Sequence, residues 1–335
     1  MAAVAPGAGG IENLLVGWAG ALSEFHDVHV VSVNPGSISD TQTGVMLHPF
    51  EGAHDCAEVV ALVQPDLVIS NNRPLIASTY PHLALFHNDV VAWRDPPYDS
   101  VRHAREACQE SLSDAGAVAA VSTDLAERVA AAMGARVSVF RPFADAVFFD
   151  VGAASVEKRP VVSYVGRLLE KKGVAAVLRL AAACPDIRFE VTNFIAPWST
   201  PTPEHRRLAA AAQKLPNVVL LDPPRDRRDL AQLVASTSVV VVPSRWREPF
   251  GLVAIEAQAA GSHVLVSGSG GLSETVPGRS SVVDFDDLEY VGGRLRDLLA
   301  SPNPDPSVRT WVESQFTLPR STARLQELMA RVVGE

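Results

Sequence analysis

The sequence predicts an α/β protein built from two doubly wound domains. Three observations carry that expectation. The chain has 335 residues, beyond the roughly 250–300 at which a single core stops growing. Short β-branched runs alternate with amphipathic stretches, the pattern of parallel βα units. An irregular segment, "RPFADAVFFDVGAASVEKRP" (141 to 160), splits that alternation into two series.

Taken in order, a glycine-rich turn, "PGAGG", feeds a helix-like stretch, "IENLLVGWAGALSEFH" (11 to 26). The strands of the first series are "VHVVSV" (28 to 33), "DLVIS" (66 to 70), "LALFH" (83 to 87) and "AVAAVS" (117 to 122). Those of the second are "VVSYVG" (161 to 166), "IRFEVT" (187 to 192), "NVVLL" (217 to 221) and "SVVVVP" (238 to 243). "SPNPDPS" (301 to 307) reads as a Pro-rich turn, and helix-like sequence follows it. The division expected is 1–145, 146–318 and a final helical piece, 319–335. In two such domains facing one another, strand C-termini and helix N-termini line a shared central cleft, so chemistry belongs in the loops after strands.

Composition narrows the classes. A formal charge of −9 argues against a nucleic-acid backbone as the main partner, because such binding needs a basic face. No uninterrupted apolar run is long enough to span a bilayer. "MAAVAPGAGG" lacks the basic and apolar regions of a secretory signal, which together with three unpatterned cysteines predicts a reduced, cytoplasmic setting. Cys56, Cys108 and Cys184 have neither disulfide nor zinc spacing and read as small core residues.

Three segments carry candidate chemistry. "SYVGRLLEKKG" (163 to 173) places Arg167 just after a strand and Lys172 at the start of the next helix. The pair reads either as a solvated basic turn or as a diphosphate site beside helix N-terminal amides. "SRWREPFGLVAIEAQAAG" (244 to 261) puts Glu248 and Pro249 in a loop and begins a helix near Gly251. Phe250, Gly251, Leu252 and Val253 then offer unpaired N–H groups, and Gly251 admits close approach of a ligand. Glu256, one turn inside, is either an exposed helix carboxylate or an acceptor for a vicinal diol; Glu248 is either a favourable first-turn acid or an acceptor for a sugar hydroxyl. The helix is expected to bury its Leu252/Ile255 side. In the third segment, Gly7, Gly9 and Gly10 are spaced G-x-G-G and complete no dinucleotide fingerprint, leaving a plain tight turn or an oxyanion cradle. His87, followed by Asn88 and Asp89, closes a strand and reads as a cleft-mouth or a core histidine.

In combination, "GRLLEKKG", "VVVVPSRWREPFGLVAIEAQAAGSHVLVS" and "GGLSETV" resemble the retaining glycosyltransferases of the GT-B fold, family 4. Their E-x7-E signature is met by Glu248 and Glu256. "GGIENLLVGWAGAL" resembles the family's first glycine-rich turn and helix, and "VSTDLAERV" a later element of its N-domain. The resemblance implies sugar transfer from a nucleotide diphosphate donor to an acceptor hydroxyl with retention, without cofactor or metal. Arg167 and Lys172 would hold the diphosphate and Glu256 the ribose. Glu248 and the backbone of Phe250 to Val253 would hold donor-sugar hydroxyls and phosphate oxygens. His87 would approach the donor sugar, Gly10 would close over the phosphates, and "RSTARLQELMARVV" (320 to 333) would cross back to the N-domain.

The chain departs from the family in a short first strand, "MAAVAP", read as a truncated start or a reduced domain edge. It departs again in "VTNFIAP" (191 to 197), where a glycine-rich turn is common, and in "FRPFAD" (140 to 145). The stretch 11 to 26 has no Lys or Arg, unlike the basic surfaces of members that act on membrane lipids, which points to a small soluble acceptor such as a polyol, aminocyclitol or other natural-product scaffold. Asp89, Trp93, Arg94 and Asp95 are candidate acceptor-pocket residues, with packing the other role open to Trp93. A UDP-sugar donor carrying glucose or N-acetylglucosamine is expected ahead of GDP-mannose. The rival functions are a nucleotide-sugar 2-epimerase on a related fold and a silent, sugar-nucleotide-binding subunit.

Overall fold

The computed structural model describes residues 10–32, 44–49, 53–72, 80–88, 116–154, 156–195 and 200–334. They form two compact units. The first comprises residues up to Pro142 together with Leu318–Glu335, and the second runs Phe143–Thr317. The first switch falls three residues before the expected 145/146 boundary because Phe143 and Ala144 are already secured in the second unit. Both are buried, and the Ala144 N–H donates to the Phe316 carbonyl at 2.9 Å.

In the first unit, α1 (Gly10–Leu22), β1 (Val28–Ser32), β2 (Val45–Pro49), α2 (Ala53–Val63), β3 (Val68–Asn71), β4 (His82–Phe86), β5 (Ala117–Ala120), α3 (Thr123–Met133) and β6 (Ser138–Val139) follow in order. Strands β3, β4, β5 and β6 form a parallel sheet in that order, and β1 pairs with β2, also parallel. Every residue of β4 is buried, as expected of a central parallel strand covered on both faces. Helix α3 starts where the Ser122 hydroxyl accepts the Leu125 N–H, and it ends at Gly134, whose φ of 64° closes the last turn. The final helix of the chain, Leu318–Val333, packs on α1, β4 and β5 of this unit, burying Ser321, Thr322, Leu325 and Leu328. Strands β2 and β6 were not expected. Gly10 is the first residue of α1 and exposed, and the glycines ahead of it in the expected turn lie outside the described residues. Gly7, Gly9, Asp89, Trp93, Arg94 and Asp95 lie outside the described residues.

The second unit contains α4 (Ala146–Ala153), β7 (Arg159–Tyr164), a 3-10 turn (Glu170–Lys172), α5 (Val174–Ala183), β8 (Arg188–Thr192), α6 (Pro203–Gln213), β9 (Val218–Leu221), α7 (Arg227–Ser236), β10 (Thr237–Val242), α8 (Leu252–Ala259), β11 (His263–Val266), α9 (Leu288–Ala300) and α10 (Pro306–Gln315). The final helix of the first unit, introduced above, is α11. The five strands lie in the order β11-β10-β7-β8-β9, all parallel. The chain winds outward from β7 to β9, then returns to lay β10 on the other side of β7. That reversal is a topological switch point, where ligands bind outside the strands' carboxyl ends. Buried Val174, Val177, Leu178 and Ala181 recur at helical spacing on α5, the face laid on the sheet. Cys184 is buried, as expected of a core residue; the side chains of Cys56 and Cys108 are outside the described residues. None of the described helices is long and apolar enough to cross a membrane.

Candidate donor site at the switch point

The loops after β7 and β10 leave adjacent strands at the reversal and are joined by main-chain bonds. The Lys171 carbonyl accepts the N–H groups of Arg245 at 2.9 Å and Trp246 at 3.2 Å. Gly173, with φ of 81°, ends the 3-10 turn against the Pro243 carbonyl, and a Cβ there would lie 1.8 Å from that oxygen. Only glycine permits this approach, so the position of Lys172 is set by backbone packing. The loop after β11 is attached too: the Gly271 N–H donates to the Glu248 carbonyl at 2.8 Å.

On this frame Lys172 and Glu248 come together. Lys172 Nζ lies 2.6 Å from Glu248 Oε1, which also accepts the Ser244 hydroxyl at 2.5 Å. The carboxylate is buried, its side chain 7% exposed, whereas the lysine is 25% exposed. The two ammonium groups of Lys171 and Lys172 stand 4.9 and 5.1 Å from the Trp246 ring centroid, in cation–π range. Arg167 is exposed and joins no salt bridge among the described residues. Its carbonyl accepts the Tyr164 hydroxyl at 2.7 Å. Burial, and then the Glu248 charge, raise the Tyr164 pKa above the ordinary range against an opposing pull from Arg167, so the hydroxyl remains a neutral donor. Burial, followed by repulsion from Arg167 and Lys172, lowers the Lys171 pKa. The expected pair of cations is thus a cluster of three. Lys172 is engaged by Glu248, and Arg167 faces solvent.

The opening of α8 has the anticipated form. Gly251 precedes it with φ of 112°, and no side chain caps the first turn. A Cβ on Gly251 would sit 2.4 Å from Leu272 Cδ2, so this backbone shape also requires glycine. Phe250 is buried and meets the Phe316 ring edge-on at 5.6 Å, which anchors the loop just ahead of the free amides of Leu252 and Val253. The expected one-sided burial of α8 needs correcting. Residues Ala254 to Ala259 are all buried, because the helix packs against β10, β11, α4, α7 and α10.

Glu256 is therefore not an exposed helix carboxylate. It is 3% exposed, and its Oε1 lies 2.7 Å from Arg227 Nη2. Arg227, the first residue of α7, also places Nε 3.7 Å from Asp145 Oδ2 and its guanidinium carbon 4.6 Å from the Phe148 ring centroid. Burial works against the guanidinium charge, but Glu256 and Asp145 outweigh it, and the Arg227 pKa is raised. Sequence reasoning missed Arg227 because it stands in a run with Arg225 and Arg228. The available signal was Asp226, whose carboxylate accepts the Asp229 N–H at 2.8 Å and starts the helix at Arg227. In both Glu248 and Glu256, Oε1 is held by a cation while Oε2 takes no hydrogen bond from the described residues. Each carboxylate thereby keeps a fixed orientation and one free acceptor, the form suited to a hydroxyl ligand.

His87 belongs to the first unit, one residue past β4, and is 4% exposed, a buried position rather than an open rim. Burial pushes its pKa down to about 3, so the imidazole is neutral at pH 7. Its Nε2 has no hydrogen-bond partner among the described residues. No three His, Cys, Asp or Glu side chains gather as metal ligands among the described residues.

Residues 149–310 match the family model of glycosyl transferases group 1. Over 244 residues the chain is 30% identical to a D-inositol 3-phosphate glycosyltransferase of Mycobacterium avium (strain 104), covering 69% of this chain and 57% of that protein. The chain thus spans little more than half the length of that relative. A sucrose-phosphate synthase from Thermosynechococcus elongatus has the same fold with a TM-score of 0.77 at 20% identity, over 100% of this chain and 96% of that one. HepE from Anabaena, solved in complex with UDP and glucose, gives a TM-score of 0.75 at 19% identity over 97% of each chain.

Proposed function

Residues 149–310 belong to the glycosyl transferases of group 1 and the chain has the GT-B fold; from this premise we propose that it moves a sugar from a nucleotide diphosphate donor to a hydroxyl of a small acceptor. The observation that carries the proposal is the pair of buried carboxylates, Glu248 and Glu256, each with one oxygen held by a cation and the other free, on either side of an uncapped helix N-terminus. Glu256 Oε2 takes the ribose hydroxyls, and Glu248 Oε2 takes a hydroxyl of the donor sugar. The amides from Phe250 to Val253, with Arg167, Lys171 and Lys172, receive the diphosphate. Three mutually repelling cations are relieved by a polyanion, and relief grows as charge develops on the leaving group, the preorganised electrostatics that lowers such barriers most.

In this reading the bond between the anomeric carbon and the diphosphate oxygen breaks as a bond to the acceptor oxygen forms on the same face. The acceptor proton passes to the departing phosphate. Retention and assignment to family 4 are what the resemblance carried by the E-x7-E signature implies. By the family resemblance, neutral His87 would have its role in turnover at the donor sugar and Gly10 its role at the phosphates. UDP is the favoured nucleotide, supported by the HepE complex with UDP and glucose, with glucose or N-acetylglucosamine as the sugar. A cyclitol or related polyol is the favoured acceptor class, supported by the name of the mycobacterial relative.

A thermal-shift panel of UDP-, GDP-, ADP- and dTDP-sugars tests the donor, since a ligand of the folded state raises the melting point through mass action. Selective stabilisation by UDP-sugars is expected; no response to any nucleotide sugar would overturn the site. Incubation of labelled UDP-glucose and UDP-N-acetylglucosamine with inositol and inositol phosphate then tests the reaction. Epimerised donor as the only product would replace transfer by 2-epimerisation.

A further inference from the structure

His87 combines a buried ring with an Nε2 that has no hydrogen-bond partner among the described residues. Such a nitrogen is costly to bury and has to be held in place by its surroundings. Its backbone is held by Asn72, which follows β3 with φ of 60° and whose Oδ1 accepts the N–H of His87 at 2.7 Å and of Asn88 at 2.9 Å. Those bonds hold the main chain and do not involve the ring.

The ring is met by Trp18 of α1, with centroids 5.4 Å apart and planes inclined at 40°. Trp18 is 2% exposed and touches Phe140 on another side, at 4.8 Å between centroids. Apolar contacts of this kind are non-directional and tolerate rotation of a flat ring. The indole is nevertheless oriented, because its Nε1–H donates to Ser321 Oγ on α11 at 2.9 Å, and Ser321 Oγ donates to the Arg141 carbonyl at 2.8 Å. A buried hydroxyl that both accepts and donates has no remaining rotational freedom.

From this chain of contacts we propose that Trp18 is a positioning residue for His87 and that Ser321, from the last helix, sets the indole plane that does so. The inference rests on the role of His87 in turnover given above. It assigns α11 a part in the chemistry that its burial alone does not require: Leu325 and Leu328 dock the helix, and Ser321 orients the ring that meets His87.

The test uses the full chain. The imidazole resonances of His87, identified by their loss in His87→Ala, are recorded at pH 7 for wild type, Ser321→Ala and Ser321→Thr. Ser321→Ala changes no group touching His87, so a shift or broadening of the His87 signals in that variant, reversed in Ser321→Thr, is the expected result. Trp18→Phe, which keeps a ring but removes the indole N–H, is expected to displace the same signals. In release of UDP from UDP-glucose, Ser321→Ala is expected to lower kcat about tenfold at unchanged KM, the scale at which small misplacements act, and to have no further effect in the His87→Ala background. Unchanged His87 signals in both Ser321→Ala and Trp18→Phe would overturn the positioning role. Wild-type UDP release by His87→Ala would instead overturn the role given to His87 in turnover, while the resonance comparison still decides whether Ser321 orients it.

Discussion

Replacing Arg227 by Met removes the cation paired with Glu256 and keeps an apolar stem over Phe148. At 2.7 Å and an effective dielectric of about 20, the Coulomb attraction of the pair is on the order of 6 kcal/mol, most of it offset by the cost of burying both ions. The loss on removing one partner is a different quantity, because the carboxylate stays behind. Breaking a buried pair in this way costs about 3–5 kcal/mol. Arg227 is 28% exposed against 5% for Glu256, so solvent reaches one side of the pair and the lower figure, about 3 kcal/mol, applies. For a unit the size of Phe143–Thr317 that is a fall of about 6–12 °C in its melting temperature. Hydrogen exchange under increasing urea reads the same quantity in peptides covering β10, which lies in this unit's core and reports its global opening. The double variant Arg227→Met, Glu256→Gln is expected to recover more than half of the loss, since no buried charge remains. A loss below about 1 kcal/mol in the single variant, or no recovery in the double, would refute the buried-charge reasoning.

Lys172→Met leaves buried Glu248 with Ser244 as its remaining side-chain donor among the described residues and is expected to cost about 3 kcal/mol by the same mechanism; adding Glu248→Gln restores the urea midpoint but not affinity for UDP in titration calorimetry. Glu256→Ala is expected to weaken UDP binding about tenfold or more, the worth of a hydrogen bond to a charged group, read by the same titration. Gly251→Ala forces a Cβ to within 2.4 Å of Leu272 Cδ2 at a φ of 112° and is expected to lower stability by about 1–3 kcal/mol in urea melts. For His87 the native pKa is pushed down to about 3, below the roughly 6.5 of an unfolded histidine, so between those values the unfolded chain binds the extra proton and stability falls as pH falls. The contribution is fully present above pH 6.5 and diminished by about 2 kcal/mol at pH 5; His87→Gln is expected to flatten that part of the stability–pH curve of the first unit.

Much of this architecture was legible in the chain. Runs such as "SVVVVP" and "VVSYVG" declared buried parallel strands, and they became β10 and β7, the two strands that meet at the reversal. Shorter strands were not legible: Ser138–Val139 is two residues long, and Val45–Pro49 ends in proline, so neither shows enough periodicity to stand out. At the candidate site, Glu248, Glu256, Arg167 and Lys172 could be singled out by their spacing along the chain. Their partners could not. Which of Arg225, Arg227 and Arg228 faces Glu256 depends on the phase of α7, and Ser321 meets Trp18 only because distant segments share one unit. Burial was misjudged for the same reason: α8 has polar residues at Glu256 and Gln258, yet both are enclosed by neighbours that no local pattern reveals.

The hydrogen bond from Ala144 to Phe316 has a consequence for how the molecule is assembled. The first unit is interrupted in sequence by the whole of the second, so α11 must find α1 and β4 across a very long stretch of chain. Closing so long a loop from an unstructured chain carries an entropic cost that slows folding. The second unit removes much of that cost, because the segments by which the chain enters and leaves it are joined by the 2.9 Å hydrogen bond between Ala144 and Phe316. Once Phe143–Thr317 has folded, the two halves of the first unit are tethered as if by a short turn.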